Sequence, residues 1–239
     1  MRVLAVSPHL DDAAFSVGGT LAALGAAGCA VTLVTCFTAS VPGPAGFALA
    51  CQLDKGLPPD VDYMALRRAE NRAAAAVLGA TPVDLDLPEA PHRGYTSAAD
   101  LFAGVHPDDA GTAAGLAARL AAVAADLDAD LWLAPQALGG HVDHLLVLRA
   151  VAALDRPTLW WRDSPYVLRD PGARPGPELP AGLAPVELPQ DLARRADACA
   201  RYTTQLGFQF GGETAMRAAL ADVGEPLLAD ARALALLPR

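Results

Sequence analysis

Apolar strand-like runs and helix-like stretches alternate along this chain, and that alternation limits its fold more than any other feature. Val3-Leu4-Ala5-Val6, Val31 to Phe37, Val83 to Leu87, Asp130 to Pro135 and Thr158 to Arg162 are short and mostly apolar. They have the length and composition of strands buried on both faces. Helical periodicity fills the gaps, from Asp12 to about Leu24, Asp62 to Leu78, Ala113 to Leu127 and His141 to Ala153. Two more helices, Gln190 to Gln205 and Glu213 to Ala221, close the chain. Gly18 and Gly19 interrupt the first helix with poor helix formers, which points to close packing of that helix against the sheet or to room for a substrate.

Such a pattern implies an α/β fold, a doubly wound, mostly parallel Rossmann-like sheet with right-handed crossovers. With the usual order 3-2-1-4-5, strands one and four are neighbours whose chains leave in opposite directions. Ligands bind beyond the carboxyl ends of the strands at that switch point. Long segments flank this edge. Thr38 to about Pro59 and Pro88 to Gly111 read as loops forming a lid or rim. Pro171 to Pro189 reads as irregular, with an edge strand near Val186.

Composition fits one domain spanning 1–239. Hydrophobic residues make up 53% and charged residues 19% of the 239 positions, enough for a sizeable core and too apolar for a disordered chain. The net charge of -9, with Lys55 the only lysine, argues against a nucleic-acid or anionic-membrane partner. Cys29, Cys36, Cys51 and Cys199 are scattered without a CxxC pair, which suits reduced thiols and a cytoplasmic location. The N-terminus runs straight into a strand, so no signal peptide is expected. The phosphate-cradling GxGxxG and GxxxxGK[ST] patterns are missing, which weighs against a nucleotide-binding module. A homo-oligomer is left open.

Three of the five histidines fall in two polar clusters, each directly after a strand on the switch-point edge. One is Ser7-Pro8-His9-Leu10-Asp11-Asp12 and the other His141-Val142-Asp143-His144. A catalytic zinc site takes three protein ligands and keeps a position for water. His9 and Asp12, spaced i and i+3 on a turn, can reach one ion, and His144 supplies a third ligand from the opposite wall. Asp11 is then free to act as general base on the ion's water. His141 is placed to stabilise an oxyanion or donate a proton, with Asp143 fixing its orientation. Taken singly, Asp11 or Asp12 reads as a helix N-cap worth about 1 kcal/mol.

These residues resemble the PIG-L/LmbE-type zinc-dependent N-deacetylases. The likeness rests on Ser-Pro-His-Leu-Asp-Asp followed by Gly-Gly-Thr, on the later His-Val-Asp-His, and on Arg67-Arg68-Ala69-Glu70 ahead of Leu78-Gly79. It covers about residues 1–155. The resemblance implies Zn2+ or another divalent transition metal on His9, Asp12 and His144, with Asp11 as base and His141 and Asp143 as accessory catalytic groups. It further implies Arg67 and Glu89 as substrate-binding residues, and a small acetylated amino sugar or glycoconjugate as substrate. Leu10 stands where proline is common and Ala13 where glutamate is frequent. Another metal-assisted addition of water on the same fold, such as a hydratase reaction, is the competing expectation.

Overall fold

The computed structural model describes residues 1–221 and 223–237. In chain order the elements are β1 (Arg2–Ser7), α1 (Asp12–Ala26), β2 (Ala30–Phe37), α2 (Gly46–Leu53), α3 (Tyr63–Leu78) and β3 (Thr81–Leu87). Then follow α4 (Thr112–Leu127), β4 (Leu131–Pro135), α5 (Val142–Ala153), β5 (Thr158–Trp161), α6 (Tyr166–Arg169) and β6 (Ala184–Val186). The chain closes with α7 (Leu192–Cys199), α8 (Thr203–Phe210), α9 (Glu213–Leu220), β7 (Leu227–Ala229) and α10 (Ala231–Leu236).

The strands form one sheet in the order β3-β2-β1-β4-β5-β7-β6. Its first five strands are parallel and in the expected order, while β7 and β6 add antiparallel pairs at the far edge. Alternate residues of β1 face opposite cores. Val3 and Ala5 pack with α1 and the C-terminal helices, and Leu4 and Val6 pack with α4 and α5. Burial on both faces explains why β1, β2 and β4 are mostly apolar and show no alternation with exposed polar residues. β1 and β4 pair at Val3–Leu131, Leu4–Trp132 and Ala5–Leu133, so the segments leaving them start side by side.

Several expectations need revision. The Thr38–Pro59 segment contains α2, and the buried Gln52 side chain donates from Nε2 to the carbonyls of Pro58 (2.6 Å) and Val61 (3.1 Å). The segment lines the site cavity as a rim that carries a helix. The 88–111 segment is shaped by three short 3-10 turns. One long helix was expected over Gln190–Gln205, but the chain turns between α7 and α8, where fully buried Tyr202 donates to Asn71 Oδ1 at 3.0 Å. β7 was not foreseen, whereas β6, equally short, is the edge strand expected near Val186.

Gly18 and Gly19 serve a close approach by the C-terminal part of the chain. A Cβ on Gly18 would lie 3.3 Å from Arg195 Cγ, and one on Gly19 would lie 3.1 Å from the Asp191 carbonyl and from Glu225 Oε1. That proximity allows Glu225 to accept from the Gly19 and Thr20 amides at 2.8 and 2.6 Å. Arg195 donates to the Phe15 carbonyl and sits 3.3 Å from Glu225. Residues near the C-terminus thus grip the helix that begins at Asp12.

Candidate metal centre and active site

The turn after β1 is built by its own polar side chains. Ser7 Oγ donates to the His9 carbonyl (2.6 Å) and accepts from the Ala13 amide (3.1 Å), and Asp12 Oδ2 accepts from the His9 amide at 2.8 Å. Asp11 occupies the N-cap position of α1, yet its side chain makes no capping bond. Its Oδ1 instead accepts from Arg67 Nη2 at 2.9 Å. The capping role open to either aspartate is therefore not what the Asp11 carboxylate does.

The second cluster opens α5 directly after β4. His141 is the N-cap, and its Nδ1 accepts from the Asp143 amide at 3.2 Å. His144, one turn in, is fully buried and projects Nε2 to 3.2 Å from Asp12 Oδ2. Across the switch point, His9 Nδ1 lies 3.1 Å from the same oxygen. Ligand atoms of His9, Asp12 and His144 all lie within 4.8 Å of one another. His9, His141 and Asp143 form a second such triangle. There, however, His9 Nε2 and Asp143 Oδ2 already share a 2.8 Å hydrogen bond, and His141 Nδ1 is engaged by backbone.

The first triangle fits a divalent cation. His144 Nε2 is buried with no hydrogen-bond partner, a costly arrangement that an ion would relieve. Two imidazoles and a carboxylate are the donor types of an open zinc site. Each histidine is also held from behind by a carboxylate, which fixes the ring and raises its basicity. For His144 the partner is Asp163, whose Oδ1 is 2.7 Å from Nδ1 and whose Oδ2 takes the Leu138 amide at 2.9 Å. For His9 it is Asp143. The Asp143 carboxylate thus serves His9, and its link to His141 runs through the main chain.

Charge in the cluster follows from burial and close pairing. Burial alone would raise Asp12, but His144 and His9 outweigh it and hold that carboxyl well below its ordinary value. Burial would lower His144, yet Asp12 and Asp163 push it up to about 9. His9 is likewise raised, Asp12 and Asp143 overcoming burial. Asp11 moves upward, chiefly through burial, with Arg67 pulling the other way and Asp12 adding to the rise. His141 is pushed down to about 3, burial dominating over the attraction of Asp143, so its ring is neutral near pH 7.

Arg67, only 4% exposed, links Asp11 to Glu89, donating to each through a different terminal nitrogen. The fork expected to grip substrate is occupied by two carboxylates of the site. Glu70, three residues on, accepts from Thr203 and Thr204 of α8. The site opens into a cavity of about 860 Å³, lined by His9, Asp11, Asp12, Arg67, Glu89 and His141, by Phe47 and Cys51 of α2, and by Tyr63, Phe102 and Tyr166. Three participants were missed from sequence. Asp163 lies two residues past β5 on the same sheet edge, a position that could have flagged it. Tyr166 packs its ring 5.2 Å from His144, and a Cβ on Gly139 (φ +88°) would meet that ring at 3.0 Å. Arg93, in the 88–111 segment, carried no positional signal.

A family profile described as PIG-L, GlcNAc-PI de-N-acetylase, matches residues 4–154. The chain is similar to 2'-N-acetylparomamine deacetylase of Streptomyces fradiae, 38% identical over 170 residues. That alignment covers 69% of this chain and 57% of the relative, so the matched part is little more than half of that protein. Among solved structures, a deacetylase of an antimicrobial pseudoaglycone superposes with a TM-score of 0.77 at 30% identity, covering 95% of this chain and 96% of that one. A triple mutant of a deacetylase from the teicoplanin biosynthetic pathway gives 0.80 at 25% identity, with 96% and 97% covered.

Proposed function

The chain belongs to the PIG-L (GlcNAc-PI de-N-acetylase) family, and on that premise we propose that it is a metal-dependent hydrolase removing an N-acetyl group from an amino sugar or glycoconjugate. The observation that carries this reading is the convergence of ligand atoms of His9, Asp12 and buried His144, beside a cavity that His9, Asp11 and Asp12 line. The relatives' names support the substrate class, one being a deacetylase of 2'-N-acetylparomamine and another of a pseudoaglycone.

His9, Asp12 and His144 would hold a divalent cation, zinc being the natural choice for that donor set, which would supply a Lewis acid for the acyl oxygen and acidify water. Asp11 takes the proton of the attacking water and returns it to the departing amine, so that amide and water become amine and acetate. Burial raises the basicity of Asp11, and Arg67 keeps its carboxylate aimed and ionised. His141 is neutral with Nδ1 engaged by the Asp143 amide, which leaves Nε2–H to donate to the developing oxyanion. Asp143 holds His9 in place. Glu89 lines the cavity and accepts from a sugar hydroxyl while also steadying Arg67. Residues 1–239 act as one unit in this scheme, because the C-terminal segment holds the helix that carries Asp12.

The test is acetate release by zinc-loaded protein from a panel of N-acetylated amino sugars and their conjugates. Acetate and a free amine in equal amounts are expected from at least one of them. Zinc-loaded protein that releases none, while hydrating an unsaturated acid, would replace deacetylation with the competing water-addition reaction.

A further inference from the structure

We infer that Arg93 is a positioning residue of the metal centre, holding the Asp143 carboxylate against His9 and thereby fixing how His9 presents its other ring nitrogen. The inference rests on the metal reading above and adds a residue from outside both motif clusters.

Both oxygens of Asp143 are committed. Oδ1 accepts from Arg93 Nη2 at 2.6 Å. Oδ2 accepts from His9 Nε2 at 2.8 Å and from the Ala90 amide at 3.2 Å. Asp143 is 0% exposed, and a carboxylate so buried needs a charged partner to stay ionised. Among the described residues, Arg93 is the only arginine or lysine within ion-pair distance of it. With Nε2 tied to Asp143, the His9 ring turns Nδ1 toward Asp12 at 3.1 Å, the orientation in which it can ligate. Arg93 therefore does for His9, at one remove, what Asp163 does directly for His144.

The guanidinium is itself fixed on several sides. Its Nε reaches Asp109 at 3.1 and 3.2 Å, Nη2 reaches Asp109 Oδ2 at 3.0 Å, and Nη1 donates to the Pro88 carbonyl at 2.6 Å. Asp109 is steadied by Tyr95 Oη (3.1 Å) and Thr112 Oγ1 (2.6 Å), and the guanidinium carbon sits 4.6 Å from the centre of the Phe37 ring. An arginine fork suits two acids at a set angle better than a lysine point charge does. The 88–111 segment, which brings Glu89 to the cavity, is thereby tied to a metal ligand through two bonds to one carboxylate, one from Arg93 and one from the Ala90 amide.

A merely structural Arg93 would hold the segment to Asp109 and Pro88 and leave the ion unaffected. The test compares Arg93→Met with Asp100→Asn, which loosens the same segment at Thr96 and His106 without touching Arg93. Zinc affinity is read by competition with a chromophoric chelator, ligand geometry by the visible spectrum of the Co2+ form, and folding by circular dichroism. Arg93→Met should weaken zinc binding by about 10- to 100-fold and alter the cobalt spectrum, with Asp100→Asn near the parent in both. Unchanged zinc affinity and spectrum in Arg93→Met, or an equal loss in Asp100→Asn, overturns the inference. If Arg93→Met does not fold, Arg93→Lys decides: a folded Arg93→Lys, which lacks the fork, should bind zinc more weakly than the parent with a shifted cobalt spectrum, and parental values in both oppose the inference. Parent protein that binds no zinc would defeat the metal reading itself, a separate result from parent binding with an indifferent Arg93→Met.

Discussion

Replacing Asp163 with Asn removes one charge and almost no volume, so its consequences follow from hydrogen bonding alone. Both native partners of this carboxylate are donors: the imidazole of His144 at 2.7 Å from Oδ1 and the Leu138 amide at 2.9 Å from Oδ2. An asparagine offers one acceptor oxygen and one NH2, so one of the two partners must face a donor. If the oxygen stays with His144, the Leu138 amide is left unsatisfied in a buried position, at a cost of about 1–3 kcal/mol. If it turns to Leu138, His144 must accept at Nδ1 and carry its proton on Nε2, the nitrogen needed for the ion. Even in the first arrangement the imidazole loses a carboxylate that raises its basicity. Loss of such a partner lowers metal affinity by about 10- to 100-fold, or about 1.4–2.7 kcal/mol. Chelator competition at neutral pH measures the affinity, and thermal melting of chelator-treated protein measures the stability. Parental zinc affinity in Asp163→Asn would refute the assignment of Asp163 as the group that aims His144.

Three further outcomes are expected. Arg195→Met should destabilise the fold by about 3–5 kcal/mol, because it strands Glu225 as a buried charge beside α1; a melting temperature close to the parent's would count against the C-terminal grip on that helix. Arg67→Met removes the cation that lowers Asp11, so the Asp11 carboxyl should rise and the acidic limb of the pH–rate profile should move to higher pH; a limb that stays put or moves down would detach Arg67 from the base. With His144 pushed up to about 9 and His9 raised as well, an ion must displace a proton from each ring, and zinc affinity should weaken by more than about tenfold for each unit of acidification toward neutrality; affinity independent of pH would remove both histidines from the ligand set.

The parallel core of the sheet was legible because its strands are buried on both faces and so are mostly apolar in sequence, as Val3–Val6 and Val31–Phe37 show. The meeting of His9 with His144 was legible for a topological reason, since each cluster follows a strand and the two strands are neighbours. What stayed hidden depended on side chains arriving from irregular segments. Arg93 and Asp109 sit in a stretch of turns with no period to read, and their link to Asp143 spans 50 residues in one case and passes through the Arg93 guanidinium in the other. Arg67, expected at the substrate, meets Asp11 and Glu89 for a related reason, since both reach its guanidinium from segments remote from α3 in helical spacing. Asp143 was assigned to its neighbour His141, but the first turn of α5 directs the carboxylate across the switch point to His9.

Asp11→Asn tests the division of labour between the adjacent aspartates, Asp12 at the ion and Asp11 at the proton, in one experiment. Zinc content and acetate release are measured on the same sample, with an N-acetylated sugar that the parent protein turns over. One tightly held zinc per chain is expected, with a rate lowered by about 10²- to 10⁴-fold, the contribution of a positioned base. Loss of zinc would move Asp11 into the ligand set, and a parental rate with zinc retained would take the proton transfer away from it.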